Sequence, residues 1–248
     1  MIEERFFKNG QGYALAGVLN NGRPNAPLLI FVHGFAGNKN ENGLFTQAEQ
    51  YFSDKGINTF RFDMTGAGES QGDFRDITLQ SQAHDLDCAI DTLSQIYSGN
   101  IGVVGFSLGA ATAILDANPK IGFYVLWSPA IFLSKDMLPR YDDEETRKEL
   151  QTKGYIQKAG LKVGPRIIDD FRTCDLTTQV QRLTKPTLLV HGTADPRIDY
   201  HSTVLVREQI PNAELQLIPG ANHSYKEKPE HRKQLFDLTY SWLQKQLN

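Results

Sequence analysis

Short apolar runs alternate with longer amphipathic segments along this chain, and that pattern predicts a mostly parallel β-sheet covered by helices. Residues 28–32 (LLIFV) are apolar throughout, as is typical of a strand buried on both faces. The segments 3–8 and 13–19 flank Asn9-Gly10 and are interpreted as an antiparallel hairpin at one edge of the sheet. The other predicted strands are residues 58–62, 101–105, 123–127, 187–190 and 214–218.

The predicted helices have apolar side chains at a spacing of three and four residues. Leu86, Ile90 and Leu93 follow this spacing in one of them. The last predicted helix is rich in charge, and we expect its His231 to face solvent. The helices are predicted over residues 42–55, 79–97, 107–118, 201–209 and 230–246.

Residues 131–185, called the insert from here on, interrupt this alternation. They contain the charge run Asp142-Asp143-Glu144-Glu145 and no long buried strand. Their length exceeds that of an ordinary connection between a helix and a strand. We therefore predict a single domain over residues 1–248, with the insert forming a small lid subdomain within it.

Composition and charge narrow the class of protein. Of the 248 residues, 40% are hydrophobic and 22% charged, which is typical of a globular domain. The net charge is −3 and no long basic block occurs, so neither a nucleic-acid partner nor a membrane partner is expected. Cys88 and Cys174 lack metal-ligand spacing and are interpreted as unpaired thiols.

The same features favour a cytoplasmic location. The N-terminal residues are charged and lack the apolar core of a signal peptide. No apolar stretch approaches the ~20 residues that a membrane span requires. Nothing in the sequence predicts the oligomeric state.

Ser107 lies in Gly105-Phe106-Ser107-Leu108-Gly109, directly after a predicted strand and before an Ala-rich helix. A serine hydroxyl is a weak nucleophile at neutral pH and needs a base to accept its proton. The glycines permit a tight strand-to-helix turn that exposes the serine at the N-terminus of the helix. Ser107 is therefore predicted to be a nucleophile, and the alternative is a plain N-cap serine.

Two later loops supply candidates for the base and for its acidic partner. His223 lies in a Gly-flanked loop after the predicted strand 214–218, and Asp195 lies in a turn after the predicted strand 187–190. The order Ser107, Asp195, His223 is the order of nucleophile, acid and base that accompanies such a turn. We predict that these three residues form a catalytic triad.

Other acidic residues compete for the role of Asp195. Asp199 lies four residues later and is the main alternative. Asp63 also ends a predicted strand, but it precedes the serine, against the expected order.

The loop His33-Gly34-Phe35 directly follows the buried strand 28–32. In this arrangement the loop donates one backbone N–H to the oxyanion, and the residue after the nucleophile donates the other. Phe35 and Leu108 are therefore predicted to form the oxyanion hole. His33 is expected to hold the loop in place and is also a candidate for substrate contact.

With these residues in view, the chain resembles the α/β-hydrolase superfamily over essentially its full length. Residues 63–70 (DMTGAGES) are similar to the D-x-R-G-x-G-x-S loop of those enzymes, with Thr65 in place of the usual arginine. The resemblance implies the α/β-hydrolase fold, a mostly parallel central sheet flanked by helices.

Within the superfamily, residues 33–39 (HGFAGNK) and the insertion after residues 127–130 (WSPA) resemble the bacterial feruloyl and cinnamoyl esterases. The resemblance implies a lid that contains a hairpin, for which residues 155–163 are the candidate. It also implies that lid residues contact the phenolic ring of the substrate. The candidates for that contact are Asp136, Tyr141 and Tyr155.

These residues predict a serine carboxylesterase that hydrolyses small or aromatic acyl esters through an acyl-enzyme. Its partner is a small-molecule ester, and neither a metal nor an organic cofactor is required. A serine aminopeptidase or a thioesterase is the enzymatic alternative, because the same triad serves amides and thioesters. A non-catalytic binding protein that keeps the fold is the remaining alternative.

Overall fold

The short apolar runs form the strands of the computed structural model, which describes residues 2–23 and 25–247. Residues 28–32 and 58–62 form strands with the predicted bounds, and the other predicted strands differ by a few residues at their ends. The strands are β1 (Ile2–Lys8), β2 (Ala14–Asn20), β3 (Leu28–Val32), β4 (Asn58–Phe62), β5 (Ile101–Phe106), β6 (Ile121–Trp127), β7 (Ile156–Lys158), β8 (Leu161–Val163), β9 (Thr187–Gly192) and β10 (Ala213–Ile218).

The amphipathic segments form helices that connect these strands. A capping box at Thr78 and Ser81 begins the second helix, and Ser107 directly precedes the third. The helices are α1 (Leu44–Asp54), α2 (Leu79–Ser94), α3 (Leu108–Asp116), α4 (Leu133–Asp136), α5 (Glu144–Lys153), α6 (Pro165–Thr173), α7 (Thr177–Arg182), α8 (Tyr200–Gln209) and α9 (Pro229–Leu247).

Eight strands of the described residues form one sheet in the order β1-β2-β4-β3-β5-β6-β9-β10. β2 pairs antiparallel with both of its neighbours, and every other pairing in this sheet is parallel. The edge hairpin and the mostly parallel sheet predicted from the sequence are confirmed. The carboxyl ends of the parallel strands lie at one edge, where functional residues collect in such sheets.

Helices cover both faces of the sheet, and each face has its own apolar core. In β3, Leu29 and Phe31 pack on the side of α1 and α9, whereas Ile30 packs on the side of α2 and α3. Strands buried on both faces account for the continuous apolar runs of the sequence. The central strands are thereby fixed between two packed layers.

One expectation about the surface is wrong. His231 is 5% exposed, whereas the charge of its segment predicted contact with solvent. It lies in line with Leu235 and Thr239 on α9, at a spacing of four residues, and both of those side chains are fully buried. The burial of His231 is therefore decided by its position on the packed face of the helix, and not by the charge of its neighbours in sequence.

The insert lies between β6 and β9. Its described residues contain four α-helices, a short 3-10 helix (Leu138–Arg140) and a two-stranded antiparallel sheet of β7 and β8. The charge run begins α5, because Asp143 accepts a hydrogen bond from Thr146 N at 2.7 Å and acidic residues fill the first turn. In the described part of the chain, no helix is both long enough and apolar enough to cross a membrane.

Candidate active site

Ser107 lies at the turn between β5 and α3 in a strained backbone conformation, with φ 53° and ψ −119°. The turn is tight enough to exclude side chains on both flanking glycines. A Cβ atom at Gly105 would lie 2.7 Å from Ala110 Cα, and one at Gly109 would lie 2.6 Å from the carbonyl oxygen of His33. Ser107 N donates to Trp127 O at 3.0 Å, which ties the turn to β6.

A chain of hydrogen bonds joins the three predicted triad residues. His223 Nε2 lies 3.1 Å from Ser107 Oγ, and His223 Nδ1 lies 2.7 Å from Asp195 Oδ2. Both distances suit a base that accepts the serine proton while its other nitrogen donates to a carboxylate. The structure thus brings together residues that are 116 and 28 positions apart along the chain.

The protonation states follow from burial and hydrogen bonding. Burial lowers the pKa of His223, so this imidazole is neutral and able to act as a base at neutral pH. Burial alone would raise the pKa of Asp195, but hydrogen bonds from His191 and His223 hold it well below its ordinary value. Asp195 is therefore ionised beside a neutral His223.

Asp199, the alternative acid, has a different local role. Its carboxylate accepts a hydrogen bond from His201 N at 3.0 Å and caps the N-terminus of α8. It is 47% exposed and lies 3.5 Å from Lys135 Nζ. The geometry favours Asp195 as the partner of His223.

The loop after β3 lies against the serine. A Cβ atom at Gly34 would lie 3.3 Å from Ser107 Cβ, and Phe35 follows directly. Among the described residues, the backbone amides of Phe35 and Leu108 have no hydrogen-bond acceptor. Free amides beside a nucleophile fit the predicted oxyanion hole, whose function stays a prediction.

His33 holds this loop from within the core. It is fully buried, Met64 N donates to His33 Nε2 at 3.1 Å, and His33 Nδ1 donates to Gly34 O at 2.9 Å. Burial lowers the pKa of His33, in keeping with a neutral ring that donates from one nitrogen and accepts at the other. The ring makes these contacts below the loop and does not line the cavity at Ser107.

The loop at residues 63–70 is braced without the usual arginine. Asn9 Nδ2 donates to Thr65 Oγ1 at 3.0 Å, and Thr65 N donates to Asp85 Oδ2 at 2.7 Å. Asp63 is held separately, by Lys39 Nζ at 2.7 Å. Asn9, Lys39 and Asp85, all distant in sequence from the loop, therefore hold it in place.

A cavity of about 290 Å³ opens at Ser107 and His223. Of the predicted substrate contacts, Tyr141 lines this cavity. Asp136 lies beside a neighbouring cavity, where Oδ2 accepts a hydrogen bond from Phe132 N. The ring of Tyr155 lies under Lys162 on the hairpin and outside the cavity at Ser107.

Four charged residues that the sequence did not single out also line the cavity: Glu41, Arg140, Lys158 and Arg197. Glu41 Oε2 accepts a hydrogen bond from Gly34 N at 2.8 Å, and burial raises the pKa of Glu41 to about 7. In the part of the chain that is described, no group of three or more His, Cys, Asp or Glu side chains is arranged to hold a metal ion.

Comparisons with known proteins concern the family and the fold of this chain. A model of the alpha/beta hydrolase family matches residues 29–232. Est1E from Butyrivibrio proteoclasticus, solved with ferulic acid bound, is 25% identical and has a TM-score of 0.84 over 98% of this chain and 99% of its own.

A second relative is described as a thioesterase. The mitochondrial palmitoyl-protein thioesterase ABHD10 of Bos taurus is 23% identical over 216 residues, which cover 83% of this chain and 69% of the relative. The solved structure of alpha/beta hydrolase domain-containing protein 10 from mouse is 20% identical, with a TM-score of 0.77 over 98% of this chain and 99% of its own. At this identity the structural likeness concerns the fold alone.

Proposed function

We propose, from the premise that this chain belongs to the alpha/beta hydrolase family, that it is a serine carboxylesterase acting on small or aromatic acyl esters. The observation that carries the proposal is the hydrogen-bond chain from Ser107 through His223 to Asp195. It supplies a nucleophile, a base and an acid that orients the base. Esterase and thioesterase relatives support hydrolysis as the class of reaction.

In the first half-reaction, Ser107 Oγ attacks the ester carbonyl while His223 Nε2 takes the serine proton. Asp195 holds His223 through Nδ1 and stabilises the imidazolium that forms. The amides of Phe35 and Leu108 donate to the oxygen that becomes negatively charged. His223 then returns the proton to the leaving alcohol, and an acyl group remains on Ser107.

In the second half-reaction, water attacks the acyl-enzyme. His223 accepts a proton from that water, the tetrahedral intermediate collapses, and the acid product leaves as Ser107 regains its proton. The low pKa that burial gives His223 keeps the base neutral for both half-reactions.

The size and lining of the cavity support small or aromatic acyl groups. A volume of about 290 Å³ is at the lower end of the range for ligand pockets. Phe35, Phe106 and Tyr141 contribute aromatic rings to the lining of this cavity. The bound ferulic acid of Est1E is an aromatic acid of the class proposed here.

A thioesterase is the second candidate function. The sequence likeness to a palmitoyl-protein thioesterase favours it, and the same acyl-enzyme forms from a thioester. The small cavity favours a short acyl group over a long one. A serine aminopeptidase is the third candidate function, because the same triad can act on amides.

Two further proposals concern the insert and the location of the protein. We propose that the insert is a lid, because its Arg140, Tyr141 and Lys158 line the cavity at Ser107. Opening of the lid is testable by protection of residues 131–185 from hydrogen exchange with and without a bound acid product.

We propose a cytoplasmic location, which suits the free thiols Cys88 and Cys174.

Labelling with a fluorophosphonate probe tests the nucleophile. Wild-type protein is expected to label, and Ser107→Ala is expected not to. Ser134→Ala removes an exposed serine of the insert and serves as the matched control, which should label like wild type. Equal labelling of Ser107→Ala and wild type would rule out Ser107 as the nucleophile.

Side-by-side kinetics test the substrate class. We expect turnover of 4-nitrophenyl acetate and methyl ferulate, with lower kcat/KM for a palmitoyl thioester and for aminoacyl 4-nitroanilides. Turnover of the anilides alone would overturn the esterase proposal. Higher kcat/KM for the palmitoyl thioester than for both esters would favour the second candidate.

A further inference from the structure

We infer that the substrate of this site carries an anionic group, a carboxylate or a phosphate, which Arg140, Lys158 and Arg197 bind at the wall of the cavity. This inference rests on the proposed function and specifies its substrate class. The three cations come from different parts of the chain, a short turn before α5, the hairpin of the insert, and the turn that carries Asp195. All three line the cavity that contains Ser107 and His223.

None of the three cations is neutralised by a close carboxylate. Among the described residues, none of them forms a salt bridge, and the carboxylates Glu41, Asp136 and Asp195 act on Arg197 and Arg140 only at longer range. Elsewhere on the chain many cations are paired, as Arg172 is with Asp142 at 2.9 Å and Lys120 with Asp91 at 2.6 Å. The cations of the cavity are therefore available to a ligand.

Arg140 is held in place by neutral groups. Its Nη2 donates to Asp136 O at 2.6 Å and contacts Met137 Sδ at 2.9 Å. Its Nε is buried and has no hydrogen-bond partner within the described residues. A buried donor without a partner costs free energy, and an anionic acceptor from a ligand would satisfy it.

Arg197 and Lys158 complete the positive wall. Burial lowers the pKa of Arg140, and the nearby charge of Arg197 acts in the same direction, whereas Asp136 and Asp195 act in the opposite direction at longer range. Lys158 Nζ lies 5.5 Å from the ring centre of Tyr141, which leaves its charge unneutralised. Lys158 and Arg197 are exposed, and an anion that binds at this wall gains electrostatic free energy from each of the cations.

Glu41 is the carboxyl group that lines the cavity among the described residues, and it does not cancel this charge. Its Oε2 is engaged by Gly34 N at 2.8 Å, and burial raises its pKa to about 7, so a large fraction is uncharged at neutral pH. The chain as a whole carries a net charge of −3. A positive cavity in an acidic protein focuses the local field on an anionic substrate.

The anion can belong to the acyl group or to the leaving group, and matched esters distinguish the two. Monomethyl terephthalate carries a carboxylate on its acyl side, and methyl 4-carbamoylbenzoate is its neutral counterpart. 4-Acetoxybenzoate carries a carboxylate on its leaving group, and 4-acetoxybenzamide is its neutral counterpart. The para position prevents the carboxylate from assisting the reaction within the molecule.

The measured quantity is the ratio of kcat/KM for the anionic ester to that for its neutral counterpart. We expect a ratio above ten in one of the two pairs, and at least a tenfold fall in that ratio for Arg140→Gln and for Arg197→Gln. Arg140→Lys keeps the charge but loses the planar guanidinium, so the ratio should fall less than it does in Arg140→Gln. Arg182→Gln removes an exposed arginine outside the cavity and should leave the ratio unchanged.

Two kinds of failure are distinguishable. Turnover of the neutral esters, with a ratio near one in both pairs, overturns the anion site and leaves the esterase proposal intact. Absence of turnover for every ester overturns the proposed function. In that case calorimetry with Ser107→Ala decides the anion site, since monomethyl terephthalate should bind at least tenfold more tightly than methyl 4-carbamoylbenzoate. Equal binding of the two overturns it.

Discussion

His191 Nε2 lies 3.0 Å from Asp195 Oδ2, the same carboxylate oxygen that His223 Nδ1 approaches at 2.7 Å. His191 Nε2 also lies 3.2 Å from the carbonyl oxygen of Ile198, which can only accept. The network therefore assigns the proton of His191 to Nε2, and Thr203 Oγ1 donates to Nδ1 at 2.6 Å. The proposed acid is thus oriented by one histidine while it orients another.

This relationship makes His191 a positioning residue. Replacing His191 with Gln weakens one hydrogen bond to Asp195, so the carboxylate becomes more basic and holds the His223 imidazolium more strongly. We expect kcat to fall about tenfold with KM nearly unchanged, and the acid limb of the kcat/KM profile to move to higher pH. Steady-state kinetics from pH 5 to 9 measure both effects.

The shift of the acid limb separates positioning from a general loss of structure. A variant that is merely partly unfolded would lose kcat at all pH values, without a shift of the limb. Thr203→Val removes the donor to His191 Nδ1 and should move the limb in the same direction by a smaller amount. Movement of the limb to lower pH in His191→Gln would contradict this role.

Asp195→Asn tests the assignment of the acid. The substitution keeps the shape of the side chain but no longer fixes the tautomer of His223, so kcat is expected to fall by about 10⁴-fold. Asp199→Asn is the matched control, because it lies four residues away and contacts His201 instead of His223. A large loss of kcat in Asp199→Asn, with little loss in Asp195→Asn, would reverse the assignment.

The sequence predicted the sheet and the approach of Ser107, Asp195 and His223, because all three follow buried apolar runs whose ends meet at one edge of a parallel sheet. It did not predict the charged wall of the cavity. Arg140 ends a three-residue helical turn of the insert that is too short to show apolar periodicity, and only tertiary packing brings it to Ser107. Glu41 is buried in a turn where Glu41 and Asn42 both have positive φ, a conformation that no periodic pattern indicates.

The raised pKa of Glu41 predicts that the free energy of unfolding depends on pH. Burial raises its pKa from 4.5 to about 7, so the folded protein binds a proton that the unfolded chain releases between those values. Below pH 4.5 Glu41 does not lower the free energy of unfolding. The loss grows as the pH rises to 7, and above pH 7 it is constant at roughly 3 kcal/mol. Burial of a carboxylate thus costs stability in the alkaline part of the range.

Glu41→Gln should remove this penalty while keeping an acceptor for Gly34 N. Its free energy of unfolding, relative to wild type, should be about 2 kcal/mol more favourable at pH 8 than at pH 5. Urea unfolding at the two pH values measures the difference. Glu227→Gln removes an exposed glutamate and is the surface control. An equal effect of Glu41→Gln at both pH values would contradict a buried titrating Glu41.

Lys39 is predicted to hold the loop that follows β4. Its Nζ lies 2.7 Å from Asp63 Oδ2, and the side chain of Asp63 is fully buried. Lys39→Met leaves that carboxylate without its counter-charge, which costs about 3 kcal/mol of unfolding free energy. Lys120→Met is the matched control, because its partner Asp91 is exposed and such a pair contributes about 1 kcal/mol at most.

A double substitution identifies the buried charge as the cause. Asp63→Asn removes the charge that Lys39 neutralises, so Lys39→Met should cost less in the Asp63→Asn background than in wild type. Urea unfolding of wild type, the two single variants and the double variant gives this interaction free energy. Because Lys39 N and Glu69 N also donate to Asp63, at 2.6 and 2.9 Å, the loop retains two backbone contacts in Lys39→Met. If Lys39→Met lowered the free energy of unfolding no more than Lys120→Met does, these two backbone contacts alone would hold Asp63.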